Sequence, residues 1–371
     1  MAKRISIMVL PNTPPEAPPQ LLLEQNGVWL DMMPDDQGNN AVDIHETKKQ
    51  IDAYFQTIMT EVEIQPAHTA DNASLKAMFG TFYKKLITTK VREALLNVAQ
   101  TAEANNEVPE LLIHTHTFLE WLPWEMFHDG KEYFGLRFRI ARLPIMRQVP
   151  DVSAKTVPVQ RVYNLLANNF LDAAQEAAWK DTFNGILPAV NQTTFPPPFP
   201  NVDNIVNARD ADILHITCHG GLRDPASDKE VYWTLDSQNM QKVNFELRTS
   251  MFDTDVVGYE SKPLVFGNAC ASTDAGGGGS RKNGLLPGYG ASFFSRGALN
   301  FVGTFAPITK TLAIDFARLF YQNLLGAAGQ PLPIAQALWV TKNHYRKTIQ
   351  SPDPSYLFYC LYGPPDTVFH P

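Results

Sequence analysis

The chain reads LHITCHGG at residues 214–221 and LVFGNACA at residues 264–271. Each stretch is a short apolar run of the kind that forms a buried strand, and each ends at a reactive side chain followed by small residues. We therefore expect His219 and Cys270 to project from the C-terminal ends of two strands. In an open α/β sheet, that edge is where the chemistry is placed.

A histidine and a cysteine at one edge of a sheet predict thiol chemistry. The thiolate is the attacking species, and an adjacent imidazolium lowers the thiol pKa from its ordinary value of about 8.5. Cys270 is the predicted nucleophile, with His219 as its base or its electrostatic partner. Gly220 has no side chain, so its backbone N–H can approach a developing oxyanion, and the N–H of Cys270 supplies the second donor.

Strand and helix signals alternate along the chain. The alternation predicts an α/β fold with a mainly parallel sheet and helices on both of its faces. A further strand or hairpin is predicted near the site at residues 232–235. Strands are predicted at residues 5–10, 110–118, 161–167, 213–218, 264–269 and 299–304, and helices at 51–62, 75–87, 173–187, 312–325 and 334–345.

Length and composition favour two lobes. The chain has 371 residues, of which 44% are hydrophobic, enough for a substantial core. A proline and a short Ser/Lys/Thr linker precede Lys155. We therefore predict an N-terminal α/β lobe at residues 1–154 and a second lobe at 155–371. Because His219 and Cys270 both fall in the second lobe, the first is predicted to be non-catalytic.

Charge and cysteine content exclude several classes of protein. The net charge is −7 and no long Lys/Arg cluster occurs, which argues against direct nucleic-acid binding. The apolar run at residues 5–10 stops at Pro11, too short for a signal-peptide core or a membrane span, so no membrane association is expected. Three cysteines do not make a disulfide framework, which predicts a reducing, cytoplasmic setting.

Other histidine, cysteine and serine residues are candidate metal ligands or alternative nucleophiles. His114 and His116 alternate on one strand face, but two histidines without acidic or cysteine partners are too few for a metal site. Cys218 should be buried when His219 faces the cleft, because adjacent strand residues point to opposite faces. Ser280 and Ser292 lack the Gly-x-Ser-x-Gly elbow of a serine hydrolase.

The glycine-rich segment that follows Cys270 has three readings. Residues 274–290 read DAGGGGSRKNGLLPGYG, which lacks the Gly-Lys-Ser/Thr of a phosphate-binding loop. A surface connection is the simplest reading. The sharper hypothesis is a substrate-binding loop that becomes ordered on activation.

Four motifs resemble those of the CHAT group of caspase-like cysteine peptidases. They are DILHITCHG at residues 212–220, the strand ending in Ala269-Cys270, YLFYCLYG at 356–363, and WLPWEMFHDG at 121–130 followed by GLRFRIARLP at 135–144. The resemblance implies a caspase-like three-layer sandwich with an N-terminal pseudo-caspase-like lobe. It also implies a His219/Cys270 dyad that hydrolyses peptide bonds without a metal or an organic cofactor.

The resemblance further implies a regulated protease with a protein substrate. In bacteria such proteases often belong to defence or cell-death pathways in which they release a toxic or pore-forming protein. The chain has no sensor repeats, so activation would come from a partner protein or from the N-terminal lobe. Two other hypotheses remain open, a non-catalytic interaction scaffold and a thiol-dependent amide hydrolase acting on small molecules.

Substrate preference rests on two candidate positions. Asn268 lies two residues before Cys270, on the same side of the predicted strand. In caspase-like families that cut after basic residues, this position often carries an aspartate. The neutral Asn268 therefore predicts a neutral or apolar P1 residue, with Asp274 as the reserve acid for a basic one. The alternative is that Asn268 only hydrogen-bonds a neighbouring segment.

Overall fold

The structure is a computed structural model, and it describes part of the 371-residue chain. The described residues are 4–10, 20–25, 28–31, 46–47, 49–51, 53, 72–116, 119–145, 155–167, 171–184, 186, 191–195, 210–222, 231–234, 246–248, 258–269, 288–306, 308–327, 329–350 and 353–371.

Buried apolar runs and short aromatic segments form the strands. In chain order the strands are β1 (Arg4–Leu10), β2 (Gln20–Gln25), β3 (Val28–Asp31), β4 (Glu110–Thr115), β5 (Arg139–Pro144), β6 (Thr156–Pro158), β7 (Arg161–Leu166), β8 (Asn191–Phe195), β9 (Ile213–Thr217), β10 (His219–Leu222), β11 (Val231–Thr234), β12 (Glu246–Arg248), β13 (Leu264–Asn268), β14 (Asn300–Thr304), β15 (Tyr359–Tyr362) and β16 (Val368–His370).

Eleven of these strands form one sheet, in the order β3-β2-β1-β4-β5-β15-β14-β13-β9-β7-β8. Pairing is parallel at seven of its ten junctions and antiparallel between β1 and β2, β2 and β3, and β14 and β15. The mainly parallel α/β sheet predicted from the sequence is therefore confirmed. A separate three-stranded sheet has the order β10-β11-β12, and β16 pairs with β6.

Helices cover the sheet. They are α1 (Asn72–Leu86), α2 (Thr89–Ala104), α3 (Phe134–Arg137), α4 (Ala173–Asn184), α5 (Tyr289–Ser295), α6 (Lys310–Leu324) and α7 (Ile334–His344). Helix α6 packs on β15, where the rings of Phe316 and Tyr359 stack with their centroids 3.8 Å apart. Helix α5 packs on β14 through Phe293 and Phe301, whose centroids are 5.7 Å apart.

The strand predictions in the second half of the chain are accurate to one residue. Segments 161–167, 213–218, 264–269 and 299–304 are observed as β7, β9, β13 and β14. Helix α6 begins two residues earlier than predicted, because Thr309 caps it by accepting a hydrogen bond from the Leu312 N–H at 3.2 Å. Much of the predicted helix at 51–62 lies outside the described residues. The elements that were not predicted include strands β2, β3, β5, β6, β8, β12, β15 and β16 and helices α2, α3 and α5.

The predicted N-terminal and C-terminal parts share the large sheet. Strand β5 pairs with β15 at Arg142 and Tyr362, and the Gly363 N–H donates to the Arg142 carbonyl at 2.9 Å. The lobe boundary at residues 154/155 stays a prediction.

A fully buried ion pair lies where β5 meets β15. The Arg142 guanidinium donates to the Glu125 carboxylate and also to the Glu120 carbonyl oxygen, the latter at 2.7 Å. Both side chains of the ion pair are 1% exposed. The aromatic rings of Phe305 and Tyr362 lie near the guanidinium, at 6.0 and 5.8 Å from its central carbon. The charge pair thus ties β5 to the segment that holds Glu120 and Glu125, at the place where β5 pairs with β15.

Among the helices of the described chain, none combines the length and the apolar character that crossing a bilayer requires.

Candidate functional site

The site is built on two neighbouring parallel strands, β9 and β13. Their register ends with Thr217 opposite Asn268, and the Cys218 N–H donates to the Asn268 carbonyl at 3.4 Å. His219 follows two residues after Thr217, and Cys270 follows two residues after Asn268. The two predicted dyad positions therefore come at equivalent places in the sequence after adjacent strand ends. The whole of Cys270 and the side chain of His219 lie outside the described residues.

The backbone after β9 turns into a hairpin beside the site. His219 pairs with Thr234 and Gly220 pairs with Trp233 across the antiparallel strands β10 and β11. The strand predicted at residues 232–235 is thus confirmed as β11. The hairpin holds the backbone of Gly220, the predicted oxyanion donor, in a regular ladder.

Asn268 is a buried structural junction. Its side-chain N–H₂ donates to the Ala313 carbonyl at 3.0 Å, and the Tyr359 hydroxyl donates to its Oδ1 at 2.8 Å. Only 2% of Asn268 is exposed. These contacts join the strand before Cys270 to helix α6 and to β15. The substrate role of Asn268 stays a prediction, and Asp274 lies outside the described residues.

Replacing Asn268 by alanine should lower the free energy of unfolding by about 1–3 kcal/mol, because it leaves the Tyr359 hydroxyl and the Ala313 carbonyl buried without this partner. Urea unfolding measures the change. Asn300→Ala is a matched control on β14, since Asn300 is also buried and its amide donates to the Pro364 carbonyl at 3.0 Å. Unchanged stability together with an altered P1 preference would instead assign Asn268 to substrate recognition.

A second histidine on the same strand has a different environment. His215 is fully buried, with Nδ1 3.1 Å from the Tyr321 hydroxyl and Nε2 2.9 Å from the Thr217 hydroxyl. Burial lowers the pKa of His215 to about 3, so its imidazole is neutral at physiological pH. Both ring nitrogens have partners within the protein. His215 is therefore a packing residue, and the catalytic role of His219 stays a prediction.

Two other candidate residues, Cys218 and His114, are packed against neighbouring residues of the fold. Cys218 is buried, as strand alternation predicts. His114 packs edge-on against Trp29 with ring centroids 5.2 Å apart. Within the portion of the chain described here, no group of three His, Cys, Asp or Glu side chains is arranged to hold a metal ion.

The glycine-rich segment ends earlier than predicted. Residues 274–287, including Ser280, lie outside the described residues. The sequence predicts a loop through Gly290, whereas helix α5 begins at Tyr289 and contains the buried Ser292. Within this helix Gly290 faces the ring of Tyr362, which a Cβ at this position would meet at 2.9 Å.

A buried acid that the sequence analysis missed lies beside the start of α5. Glu120 is 1% exposed, and burial raises the pKa of its carboxyl to about 8, opposed by Arg142 and the backbone of Gly288. Gly288 is the N-cap of α5, directly after the glycine-rich segment. The sequence signal for the burial of Glu120 was the pair of tryptophans in the 121–130 motif that follows it, because an acid next to large apolar residues tends to lie in an apolar environment.

Comparison with known proteins agrees with this architecture. Residues 76–359 match the model of the CHAT domain family. The complex of separase with securin from Saccharomyces cerevisiae has a similar structure in two determinations, with TM-scores of 0.55 and 0.52 at 12% and 11% identity, each covering 99% of this chain. This chain spans 30% of that separase chain. The complex of the pro- and mature domains of RgpB from Porphyromonas gingivalis has a TM-score of 0.42 at 11% identity, covering 77% of this chain and 71% of that chain. No curated protein sequence matches.

Proposed function

The chain belongs to the CHAT domain family, and from this premise we propose that it is a cysteine endopeptidase with the caspase-like fold, using Cys270 and His219 as its dyad. The family and the fold support a cysteine peptidase. The assignment of the two residues rests on one observation. Strands β9 and β13 are parallel neighbours whose register ends at Thr217 and Asn268, and each of the two reactive residues follows two positions later.

The proposed reaction is acyl transfer to a thiol. The Cys270 thiolate attacks the scissile carbonyl carbon, and the backbone N–H groups of Gly220 and Cys270 stabilise the oxyanion. His219 donates a proton to the leaving amine as the C–N bond breaks, which forms the acyl-enzyme. It then accepts a proton from the water that hydrolyses the thioester, and the thiolate is regenerated. Every step uses side chains and backbone groups of this chain.

We extend the proposal to substrate and setting. The substrate is a protein with a neutral or apolar P1 residue, a proposal that rests on the absence of an aspartate at position 268 and not on contact with the buried Asn268 side chain. Asp274 is the acid that would accept a basic P1 residue. The separase structure that this chain resembles is a complex with the protein securin. We propose that this chain also binds a protein partner, and that an activating partner controls it in the cytoplasm, within a bacterial defence or cell-death pathway.

Iodoacetamide should inactivate the protease, whereas a chelator should not. Cys218 and Cys360 are 1% and 0% exposed, so alkylation at one equivalent should fall on Cys270, the remaining cysteine of the chain. The assay incubates the protein with a proteome, with and without candidate partners, and sequences the new N-termini. Mass spectrometry locates the alkylated cysteine. Loss of cleavage on removal of stoichiometric zinc, with full activity after alkylation of Cys270, would contradict the thiol mechanism.

A further inference from the structure

The ring of Trp233 occupies space on β13 that only a glycine leaves free. A Cβ placed on Gly267 would lie 2.7 Å from Cη2 and 2.8 Å from Cζ2 of Trp233. Real Cβ atoms do not approach ring carbons so closely, so the indole rests directly on the strand backbone. Glycine inside a strand often marks such a close approach. Gly267 precedes Cys270 by three residues, so this contact is made at the strand that leads to the nucleophile.

The backbone of Trp233 meets the other half of the site. Trp233 pairs with Gly220 in the β10–β11 ladder, and its neighbour Thr234 pairs with His219. One residue therefore contacts both segments of the proposed dyad, the nucleophile strand through its ring and the histidine strand through its main chain. Among the described residues, β10, β11 and β12 form a sheet of their own beside the large sheet. The start of β10 is tied to β13 by the hydrogen bond from the Cys218 N–H to the Asn268 carbonyl. Trp233 adds a second tie, the packing of its side chain on Gly267.

The indole has one defined position. It is fully buried and stacks on Tyr289, with ring centroids 4.1 Å apart, and it also lies 5.9 Å from Phe293, measured between ring centroids. The indole N–H is buried and has no hydrogen-bond partner in the described part of the chain. An unsatisfied buried N–H is unfavourable, so hydrogen bonding does not explain a tryptophan at this position. Its contribution is the size and shape of the indole ring. Phenylalanine would remove the N–H and the outer ring atoms that reach Gly267.

We propose that Trp233 is a positioning residue that sets the separation of the His219–Gly220 segment from Cys270. The inference rests on the proposed cysteine-peptidase function and names a residue that makes the dyad competent. The indole ring acts as a spacer between the β10–β11 hairpin and β13. A smaller ring would let the hairpin pack at a different distance from β13. Displacement of catalytic groups by about 1 Å can cost on the order of 10²-fold in rate.

The test compares four variants with the wild type. Trp233→Phe should lower kcat by roughly 10- to 100-fold with little change in KM, since the spacer contacts no substrate. Trp124→Phe is the matched control, because Trp124 is also buried with an indole N–H that has no partner among the described residues. Its kcat should stay within about twofold of wild type. Gly267→Ala should be impaired by its clash with the indole, and Trp233→Phe added to it should restore part of the activity.

A second readout separates positioning from folding. The rate of Cys270 alkylation by iodoacetamide is followed against pH, since its midpoint reports how closely an imidazolium lies to the thiol. In the wild type this midpoint should lie below the ordinary thiol pKa, and in Trp233→Phe it should move to higher pH. The thermal unfolding temperatures of Trp233→Phe and Trp124→Phe should change by similar amounts.

Each outcome is decisive. An active wild type whose kcat and alkylation midpoint are unchanged in Trp233→Phe overturns the role of Trp233 and leaves the proposed function standing. A double variant no better than Gly267→Ala alone also overturns it. A wild type that neither cleaves proteins nor shows a lowered alkylation midpoint overturns the proposed function and this inference together.

Discussion

Cys270→Ala should reduce proteolysis by at least about 10⁴-fold, because it removes the atom that forms the acyl-enzyme. His219→Ala should cause a loss of similar size, and the double variant should be hardly worse than either single one, since residues that act as one catalytic unit are not additive. Cleavage of an identified substrate, followed by gel densitometry, measures these rates.

The control for this prediction uses a cysteine away from the site. Cys360 is fully buried in β15, and its thiol lies 3.6 Å from the Gly303 carbonyl oxygen. Cys360→Ser should affect stability and leave cleavage by the folded fraction intact. Cleavage of the same substrate by Cys270→Ala at near wild-type rate would refute the dyad, whereas a wild type that cleaves no protein would favour the interaction-scaffold hypothesis.

Glu125→Gln should lower the free energy of unfolding by about 3–5 kcal/mol, because it leaves the buried Arg142 guanidinium without its counter-charge. Burial also lowers the pKa of Lys342 to about 8, and the Glu125 carboxylate opposes this shift. The substitution therefore also removes a negative charge that stabilises the buried Lys342 ammonium. Guanidinium unfolding measures the loss. Asp315→Asn is the surface control, since its pair with Arg318 is exposed and should contribute at most about 0.5 kcal/mol.

Glu120→Gln, five residues away in the sequence, should gain stability relative to the wild type as the pH rises. The pKa of Glu120 is about 8 in the folded state against 4.5 for an unperturbed glutamate. Between these values the folded state holds a proton that the unfolded state has lost, so wild-type stability falls as pH rises through this window. The variant lacks this titration, so its stability relative to wild type should increase from pH 5 to pH 8. A wild type whose unfolding free energy does not fall relative to the variant over that range would contradict the raised pKa.

The strands of the site could be predicted because parallel strands buried on both faces read as continuous apolar runs. That rule located β9 and β13 to within one residue and so placed His219 and Cys270 after neighbouring strand ends. Strand β15 was missed because YCLY is only four residues long within an aromatic segment. Its position depends on pairing with β5 and β14, which come earlier in the chain.

Long-range contacts around the site could not be predicted. Gly267 within an apolar strand indicates that something approaches the backbone closely, but the sequence does not reveal that this is the ring of Trp233. Likewise, Glu120 and Glu125 are equivalent in the sequence. Only the fold makes one of them the partner of Arg142 and leaves the other buried with a raised pKa.

The central place of β15 has a consequence for the order in which the molecule can assemble. This strand lies between β5 and β14, yet it follows every other strand of the large sheet in the chain. While the ribosome makes the chain, the apolar edges of β5 and β14 lack their partner until residues 359–362 have emerged. A sheet closed by such distant segments folds slowly and exposes its edges to aggregation meanwhile. A nascent chain of this design would acquire its finished sheet only after nearly all of these residues have been translated, which delays the appearance of the folded protein in the cell that makes it.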